Sequence, residues 1–125
     1  MHQFDLKDKT AVITGGAQGF GLDIAKKFLS SGSKVFIWDI DEKELLKVTK
    51  EISNKNLNYN VVDVSNFDQV QKTVSYITSN NKIDILINNA GITGPTAELW
   101  NYNTKDWNSI IDINLNGTFY CCKLI

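Results

Sequence analysis

Three spaced glycines near the start of the chain form a pattern that is typical of a phosphate-binding turn. A short apolar run precedes them and an amphipathic pattern follows directly. Glycine lets the backbone approach a ligand closely, and the N–H groups that open the next helix attract an anion. The spacing G-x-x-x-G-x-G differs from the usual G-x-G-x-x-G, but its strand-turn-helix context is the same. We predict a nucleotide pyrophosphate here, bound by Gly15, Gln18, Gly19, Phe20 and Gly21.

A carboxylate follows the second apolar run of the chain. Asp39 lies near the offset of about 20 residues from the first glycine at which an acidic side chain accepts from a ribose 2′-hydroxyl. A carboxylate at this place repels the 2′-phosphate of NADP, and the chain contains no arginine that could bind that phosphate. We therefore expect NAD rather than NADP as the cofactor. The alternative is an ordinary solvated aspartate in a loop.

Polar residues also follow the third and fourth apolar runs. Asp63 and Val64 could meet an adenine through a carboxylate and a backbone N–H, although Asp63, Ser65 or Asn66 could equally cap the next helix. Adjacent amides and small residues at the fourth run could tie strand ends together and leave room for a flat ring, or form a simple turn. All these segments follow strands, and open α/β sheets bind ligands at that edge. The predicted cofactor contacts here are Asp63, Val64, Asn88, Asn89, Ala90 and Gly91.

Asn114 lies on the predicted inner face of the last helix. Asparagine is a poor helix former and is costly to bury unless its hydrogen bonds are satisfied. It is either a structural residue bonded to a local carbonyl or a residue that holds a catalytic water, and spacing leaves both roles open. Cys121 and Cys122 are predicted to pack in the interior, because no further ligand stands at metal-binding spacing and no metal site is expected.

The elements that must position these residues follow from the apolar pattern. Near-continuous apolar runs predict four parallel strands at 11–13, 35–38, 61–62 and 83–87. Helical spacing predicts a helix after each of the first three strands and a long last helix from Asn103 or Thr104. Its predicted inner face consists of Trp107, Ile110, Ile111, Asn114, Leu115 and Thr118 or Phe119. The order β-α-β-α-β-α-β-α predicts an α/β fold with a doubly wound, Rossmann-type parallel sheet that is truncated after the last helix.

Composition bounds the remaining possibilities. The chain has 125 residues and a formal net charge of −1, which predicts one domain over residues 1–125 and no nucleic-acid or membrane partner. No apolar run is long enough to cross a bilayer, and the charged first nine residues do not resemble a signal peptide. We expect a cytoplasmic protein.

Taken together, the motifs resemble the N-terminal half of a short-chain dehydrogenase/reductase. The resemblance rests on the glycine turn, on Asp63-Val64, on the segment 88–91 and on 113–117, and it covers nearly the whole chain. It implies an NAD-dependent oxidoreductase that interconverts a secondary alcohol and a ketone, a small-molecule substrate and a homo-oligomeric full-length protein. It also implies a structural and catalytic role for Asn114.

The same resemblance implies a catalytic Ser and a Tyr-x-x-x-Lys pair. None of the four tyrosines is followed four residues later by lysine. We therefore expect a fragment that carries the cofactor site and lacks the catalytic half. The alternatives are an inactive NAD(H)-binding module and a partner protein that completes its sheet with another chain. The substrate stays open between a sugar or sugar acid and a 3-oxoacyl thioester.

Overall fold

Short strands alternate with amphipathic helices through residues 4–125, which are the residues that the computed structural model describes. The first half contains β1 (Thr10–Thr14), α1 (Gly19–Ser30), β2 (Lys34–Asp39), α2 (Glu42–Ile52) and β3 (Leu57–Val61). The second half contains α3 (Phe67–Thr78), β4 (Ile85–Ile87), a 3₁₀ turn (Leu99–Asn101), α4 (Thr104–Ile111), a π-helical turn (Asp112–Asn116) and α5 (Gly117–Leu124). This order confirms the predicted alternation.

The four strands form one parallel sheet in the order β3-β2-β1-β4. Ala11 in β1 is the register partner of Val35 on one side and of Ile85 on the other. Side chains on one face, among them Ile13 and Ile37, pack with α1 and α2. Those on the other face pack with α3 and α5. Helices thus cover both faces, as a doubly wound Rossmann-type sheet requires.

Two predicted strands lie elsewhere than the apolar runs indicated. The third strand is Leu57–Val61 rather than 61–62, because an edge strand tolerates the polar residues that alternate along it. The fourth is only Ile85–Ile87. Its predicted first residues, Ile83 and Asp84, lie before the strand, where the Asp84 N–H donates to the Thr10 carbonyl at 2.9 Å and the Asp84 carboxylate accepts from the Thr10 N–H at 3.0 Å.

Side chains cap the starts of α2, α3 and α4. Asp41 accepts from the Glu44 N–H and caps α2, and Asn103, one of the two predicted candidates, accepts from the Lys105 N–H and caps α4. Asn66 caps α3 by accepting from the Gln69 N–H at 3.1 Å. Of the three candidate caps of α3, Asp63, Ser65 and Asn66, the structure therefore selects Asn66. Each capping side chain satisfies an N–H of the first turn that has no partner within the helix.

The final helix, defined as residues 104–124, runs without a break through α4, the π-helical turn and α5. Its predicted inner face is only partly right, since Ile110, Ile111 and Thr118 are half-buried but Asn114 is exposed. Trp107, Leu115 and Phe119 are 52%, 62% and 58% exposed, whereas Gly117 and Cys121 are buried. A β-carbon at position 117 would lie 2.8 Å from Val64 Cγ2, so α5 approaches the sheet too closely for a large side chain. Small residues form the closest contact, and Ile113 and Leu124 pack beside it.

Within residues 4–125, none of the helices has the length and apolar character that a bilayer crossing requires.

Candidate functional site

The carboxyl ends of the strands border a cavity of about 420 Å³. Eight of the predicted cofactor residues line it, namely Gly15, Gln18, Asp39, Asp63, Val64, Asn89, Ala90 and Gly91. The remaining predicted residues, Gly19, Phe20, Gly21, Asn88 and Asn114, are not part of its lining. The cavity thus joins segments from all four strand ends, which the sequence placed at the same edge.

The glycine turn has two different geometric requirements. Gly15 and Gly19 have φ angles of 63° and 57°, in the region that favours glycine. A β-carbon on Gly21 would collide with the Gly15 carbonyl oxygen and lie 2.6 Å from Asn89 Nδ2. A β-carbon on Gly19 would meet nothing within 4 Å. Gly21 is therefore needed for packing, and the space at Gly19 is open to a ligand.

The first turn of α1 has the properties of an anion site. Gln18 occupies the N-cap position in an extended conformation, and its exposed side chain does not cap the helix. The turn contains no acidic residue. Phe20, one of the predicted cofactor contacts, is 84% exposed in this turn. Free N–H groups and the helix dipole favour a negatively charged group at such a position.

Asp39 connects the glycine turn to the end of β2. One carboxylate oxygen accepts from the Ala17 N–H and the other from the Asp41 N–H, each at 3.2 Å. A carboxylate offers about four acceptor positions, so it can accept further hydrogen bonds from a ligand. The Asp39 carbonyl accepts from the Val62 N–H at 3.0 Å. Asp39 is thus held at the cavity by contacts on both sides.

The Asp63 side chain orders the turn before α3. Its carboxylate accepts from the Ser65 N–H at 2.9 Å and from the Ser65 hydroxyl at 2.6 Å. Its own N–H donates to the side-chain oxygen of Gln69 at 2.9 Å. The neighbouring Val64 is buried. Asp63 therefore presents a partly used carboxylate to the cavity beside an apolar wall.

Segment 88–91 is tied to β1 by Thr14, a residue that sequence reasoning did not select. The buried Thr14 hydroxyl oxygen accepts from the N–H groups of Asn89 and Ala90 at 3.0 and 2.9 Å. The Asn89 side chain donates to the Gly15 carbonyl at 3.1 Å. The Asn88 side chain instead donates to Cys122 Sγ at 3.3 Å and faces α5. Asn89 therefore ties the two strand ends, and Asn88 does not reach the cavity.

Asn114 lies in the π-helical turn and holds the loop after β4. Its side-chain oxygen accepts from the Ile92 N–H at 2.9 Å, and its side-chain nitrogen donates to the Ile92 carbonyl at 2.8 Å. A β-carbon on Gly91 would lie 3.2 Å from that oxygen. The bonded carbonyl is thus 22 residues away rather than local. Asn114 fixes Ile92, which lines the cavity.

Sequence reasoning missed six lining residues, Trp38, Ile40, Asp41, Val62, Ile92 and Ile113. Most are apolar neighbours of predicted polar residues, so their place beside a strand end was the available signal.

Among residues 4–125, no group of three His, Cys, Asp or Glu side chains is arranged to hold a metal ion. The Cys121 and Asp84 side chains, whose pKa values depart from their ordinary range, are not among the lining residues.

Sequence relatives of the chain are oxidoreductases with different substrates. It is 35% identical over 124 residues to the 3-oxoacyl-(acyl-carrier-protein) reductase FabG of Chlamydia muridarum, covering 96% of this chain and 50% of that protein. It is 36% identical to a 2-dehydro-3-deoxy-L-rhamnonate dehydrogenase (NAD(+)) of a Sphingomonas species, covering 90% and 45%. It is 38% identical to a probable NADP-dependent mannitol dehydrogenase of Yarrowia lipolytica, covering 98% and 46%.

A solved structure with the same fold is also a dehydrogenase. A crystal structure of a short chain dehydrogenase from Bacillus anthracis superimposes with a TM-score of 0.88 at 35% sequence identity, covering 94% of this chain and 50% of that one. The chain thus spans about half the length of the curated relatives it matches. The family model for short chain dehydrogenases matches residues 9–125. Because that match covers nearly all of the chain, the protein belongs to the short-chain dehydrogenase/reductase family of oxidoreductases.

Proposed function

We propose that residues 1–125 form the NAD-binding domain of an oxidoreductase that interconverts a secondary alcohol and a ketone. The observation that carries this proposal is the meeting of Gly15, Asp39 and Asp63 around one cavity. These residues lie far apart in the chain and offer a close backbone approach and two carboxylates. Such a set suits the phosphates, hydroxyl groups and base of a dinucleotide.

The residues present fit such a cofactor. The start of α1 would hold the pyrophosphate, since its N–H groups lack a side-chain cap and Gly19 leaves open space. Asp39 would accept from the ribose hydroxyl groups of the adenosine half. Asp63 and Val64 would meet the adenine, with Ile40 and Ile113 as apolar walls. Segment 89–91 would border the nicotinamide half.

NAD is the proposed cofactor rather than NADP. The family uses NAD(P) cofactors, and the names of the relatives include both NAD and NADP. The preference rests on the Asp39 carboxylate and on the absence of arginine from the sequence. A carboxylate accepts from a ribose hydroxyl and repels a phosphate at the same position.

Bound NAD would supply the hydride acceptor of the reaction. In this chain, Asn114 would hold the Ile92 loop against the cavity through its two hydrogen bonds and so position the substrate side of the site. The proposed substrate is a small carbonyl or alcohol compound. The names of the relatives favour either a 3-oxoacyl thioester or a sugar derivative. We further propose a cytoplasmic homo-oligomer without nucleic-acid or membrane partners.

The test is titration of the chain with NADH and NADPH. We expect Asp39→Ala to weaken NADH binding about tenfold, the value of a charge-assisted hydrogen bond, and to reduce the preference over NADPH. Asp68→Ala removes the same charge from an exposed position in α3 and serves as the control. Equal NADH affinities in Asp39→Ala and the parent would overturn the assignment. Binding is the appropriate readout, because these 125 residues contain no Tyr-x-x-x-Lys pair.

A further inference from the structure

Two complementary polar groups are buried without a partner on neighbouring strands. Among the described residues, three buried side-chain atoms make no hydrogen bond, namely Trp38 Nε1, Asn58 Nδ2 and Asn60 Oδ1; Trp38 and Asn60 are register partners. The indole N–H can only donate, and an amide oxygen can only accept. Trp38 therefore lacks a hydrogen-bond acceptor, and Asn60 Oδ1 lacks a hydrogen-bond donor.

The sheet places these two side chains on the same face. Trp38 in β2 is the register partner of Asn60 in β3. Partners in a parallel sheet project to the same side, because side chains alternate with a period of two. Trp38 is fully buried and packs with Val62 and Val64, which line the cavity. The unpartnered donor and acceptor thus share the floor beneath the Asp63 side of the cavity.

Buried polar groups in native proteins are almost always bonded, directly or through an ordered water. We propose that Trp38 and Asn60 are joined by one buried water molecule, which accepts from the indole N–H and donates to the Asn60 side-chain oxygen. A water bridge needs two or more polar partners at a buried site, and these two groups supply them.

The bridge would position both sides of the cofactor site. The Trp38 carbonyl accepts from the Gly16 N–H at 3.0 Å, so Trp38 is bonded to the glycine turn. Asp39 follows it directly, and Asn60 lies three residues before Asp63. A link between Trp38 and Asn60 therefore sets the separation between the glycine turn and the Asp63 segment. We assign both residues as positioning residues, a role that rests on the proposed NAD binding.

The bridge itself is tested by NMR of ¹⁵N-labelled protein. Trp38→Phe identifies the Trp38 indole signal, and the exposed indoles of Trp100 and Trp107 serve as internal references. We expect slow hydrogen exchange at the Trp38 N–H and a cross-peak from it to bound water. Asn60→Leu should shift the Trp38 signal, whereas Asn60→Asp, which keeps an acceptor, should preserve it.

Asn58→Leu distinguishes the two unpartnered donors on this face, because it removes Asn58 Nδ2, which lies opposite Phe36, and leaves Trp38 Nε1 and Asn60 Oδ1 in place. It should leave the Trp38 signal in place. Absence of the water cross-peak in the parent protein would overturn the bridge, and this measurement does not depend on the folding of any variant at position 60. An unchanged Trp38 signal in folded Asn60→Leu would overturn it as well.

The positioning role is tested by NADH titration of the same variants. We expect Asn60→Leu to weaken NADH binding about two- to tenfold, as for the loss of one hydrogen bond, while Asn60→Asp and Asn58→Leu stay close to the parent. Parent-like NADH affinity in Asn60→Leu would overturn the positioning role. Failure of the parent to bind NADH would overturn the proposed function instead, and the NMR result would still decide whether the bridge exists.

Discussion

The glycine-turn region, residues 10–39, and the final helix show two different ways of covering apolar surface. All five residues of β1 and the four central residues of β2 are buried. In the final helix, by contrast, the large side chains of Trp107, Leu115 and Phe119 are more than half exposed. The described residues cover β1 and the central part of β2 in the first region completely. They cover the second only where α5 is narrow enough to approach the sheet.

The difference shows that an apolar side chain is not buried simply because it is hydrophobic. Its burial depends on what packs against the segment that carries it. The central strands lie between two layers of helices, so every apolar residue in them is covered. The final helix is attached through Gly117 and Cys121, and through an edge-to-face contact between Phe67 and Tyr120 at 5.3 Å. The closest approach therefore depends on the small residues Gly117 and Cys121, whereas Trp107, Leu115 and Phe119 lie on the outer face.

Substitution of Gly21 should give the largest effect on this comparison. A methyl group there would collide with the Gly15 carbonyl in a region that is already fully packed. We expect Gly21→Ala to lower the free energy of unfolding by about 1–3 kcal/mol, as measured by urea denaturation. Gly19→Asn is the control, since Asn tolerates a positive φ and the space there is open. Equal losses in the two variants would show that packing does not distinguish these two glycines.

Substitution of Gly117 tests whether the final helix is attached through its small residues. A β-carbon there would lie 2.8 Å from Val64 Cγ2, so we expect Gly117→Val to lower the free energy of unfolding by about 1 kcal/mol, despite a gain in helix propensity. Leu115→Ala, on the outer face, should change it by less than about 0.5 kcal/mol. A larger loss in Leu115→Ala than in Gly117→Val would show that the outer face is packed in solution.

The adjacent cysteines of α5 differ in the same way, since Cys121 is buried and Cys122 is exposed. Their substitution should give the smallest effect on stability, visible only at alkaline pH. Burial, with a further contribution from Cys122, raises the pKa of the Cys121 thiol from 9.0 to about 11. Between these values the folded protein retains a proton that the unfolded chain loses, so stability should fall as the pH rises from 9 to 11. Urea denaturation across this range should show a smaller decline in Cys121→Ala.

Cys122→Ser should decline only slightly less than the parent, because it leaves the burial of Cys121, the larger cause of the raised pKa, in place. A thiol reagent at neutral pH should label Cys122 in the folded protein and both cysteines after unfolding. Labelling of both in the folded state would contradict the inward position of Cys121.

Sequence reasoning recovered the features that depend on local pattern. The glycine turn, the position of Asp39 at the end of β2 and a cap at Asn103 or Thr104 all follow from residue types next to a strand or helix end. Residues 88 and 89 show its limit, since adjacent and identical side chains point to different partners. Asn89 reaches the Gly15 carbonyl, and Asn88 reaches Cys122.

The remaining site features depend on contacts between distant segments. Thr14 reads as the last residue of an apolar strand, and its two acceptor bonds exist only because β4 pairs beside β1. The sequence left two roles open for Asn114. The structure shows a bond to the Ile92 backbone that neither spacing nor composition could indicate. The predicted position of the third strand was wrong because the polar residues Asn58 and Asn60 interrupt its apolar pattern.

The position of Thr14 also has a kinetic consequence. Its bond to the Asn89 N–H joins residues 75 positions apart, whereas the Asp39 bond to Ala17 spans 22. Closing a longer segment costs more chain entropy before any contact compensates for it, so non-local parallel pairing slows folding. We expect β1, α1 and β2 to associate first and β4 to join last. The nicotinamide side of the cavity would then be assembled at the final step of folding, with the Thr14 hydroxyl as the group that closes it.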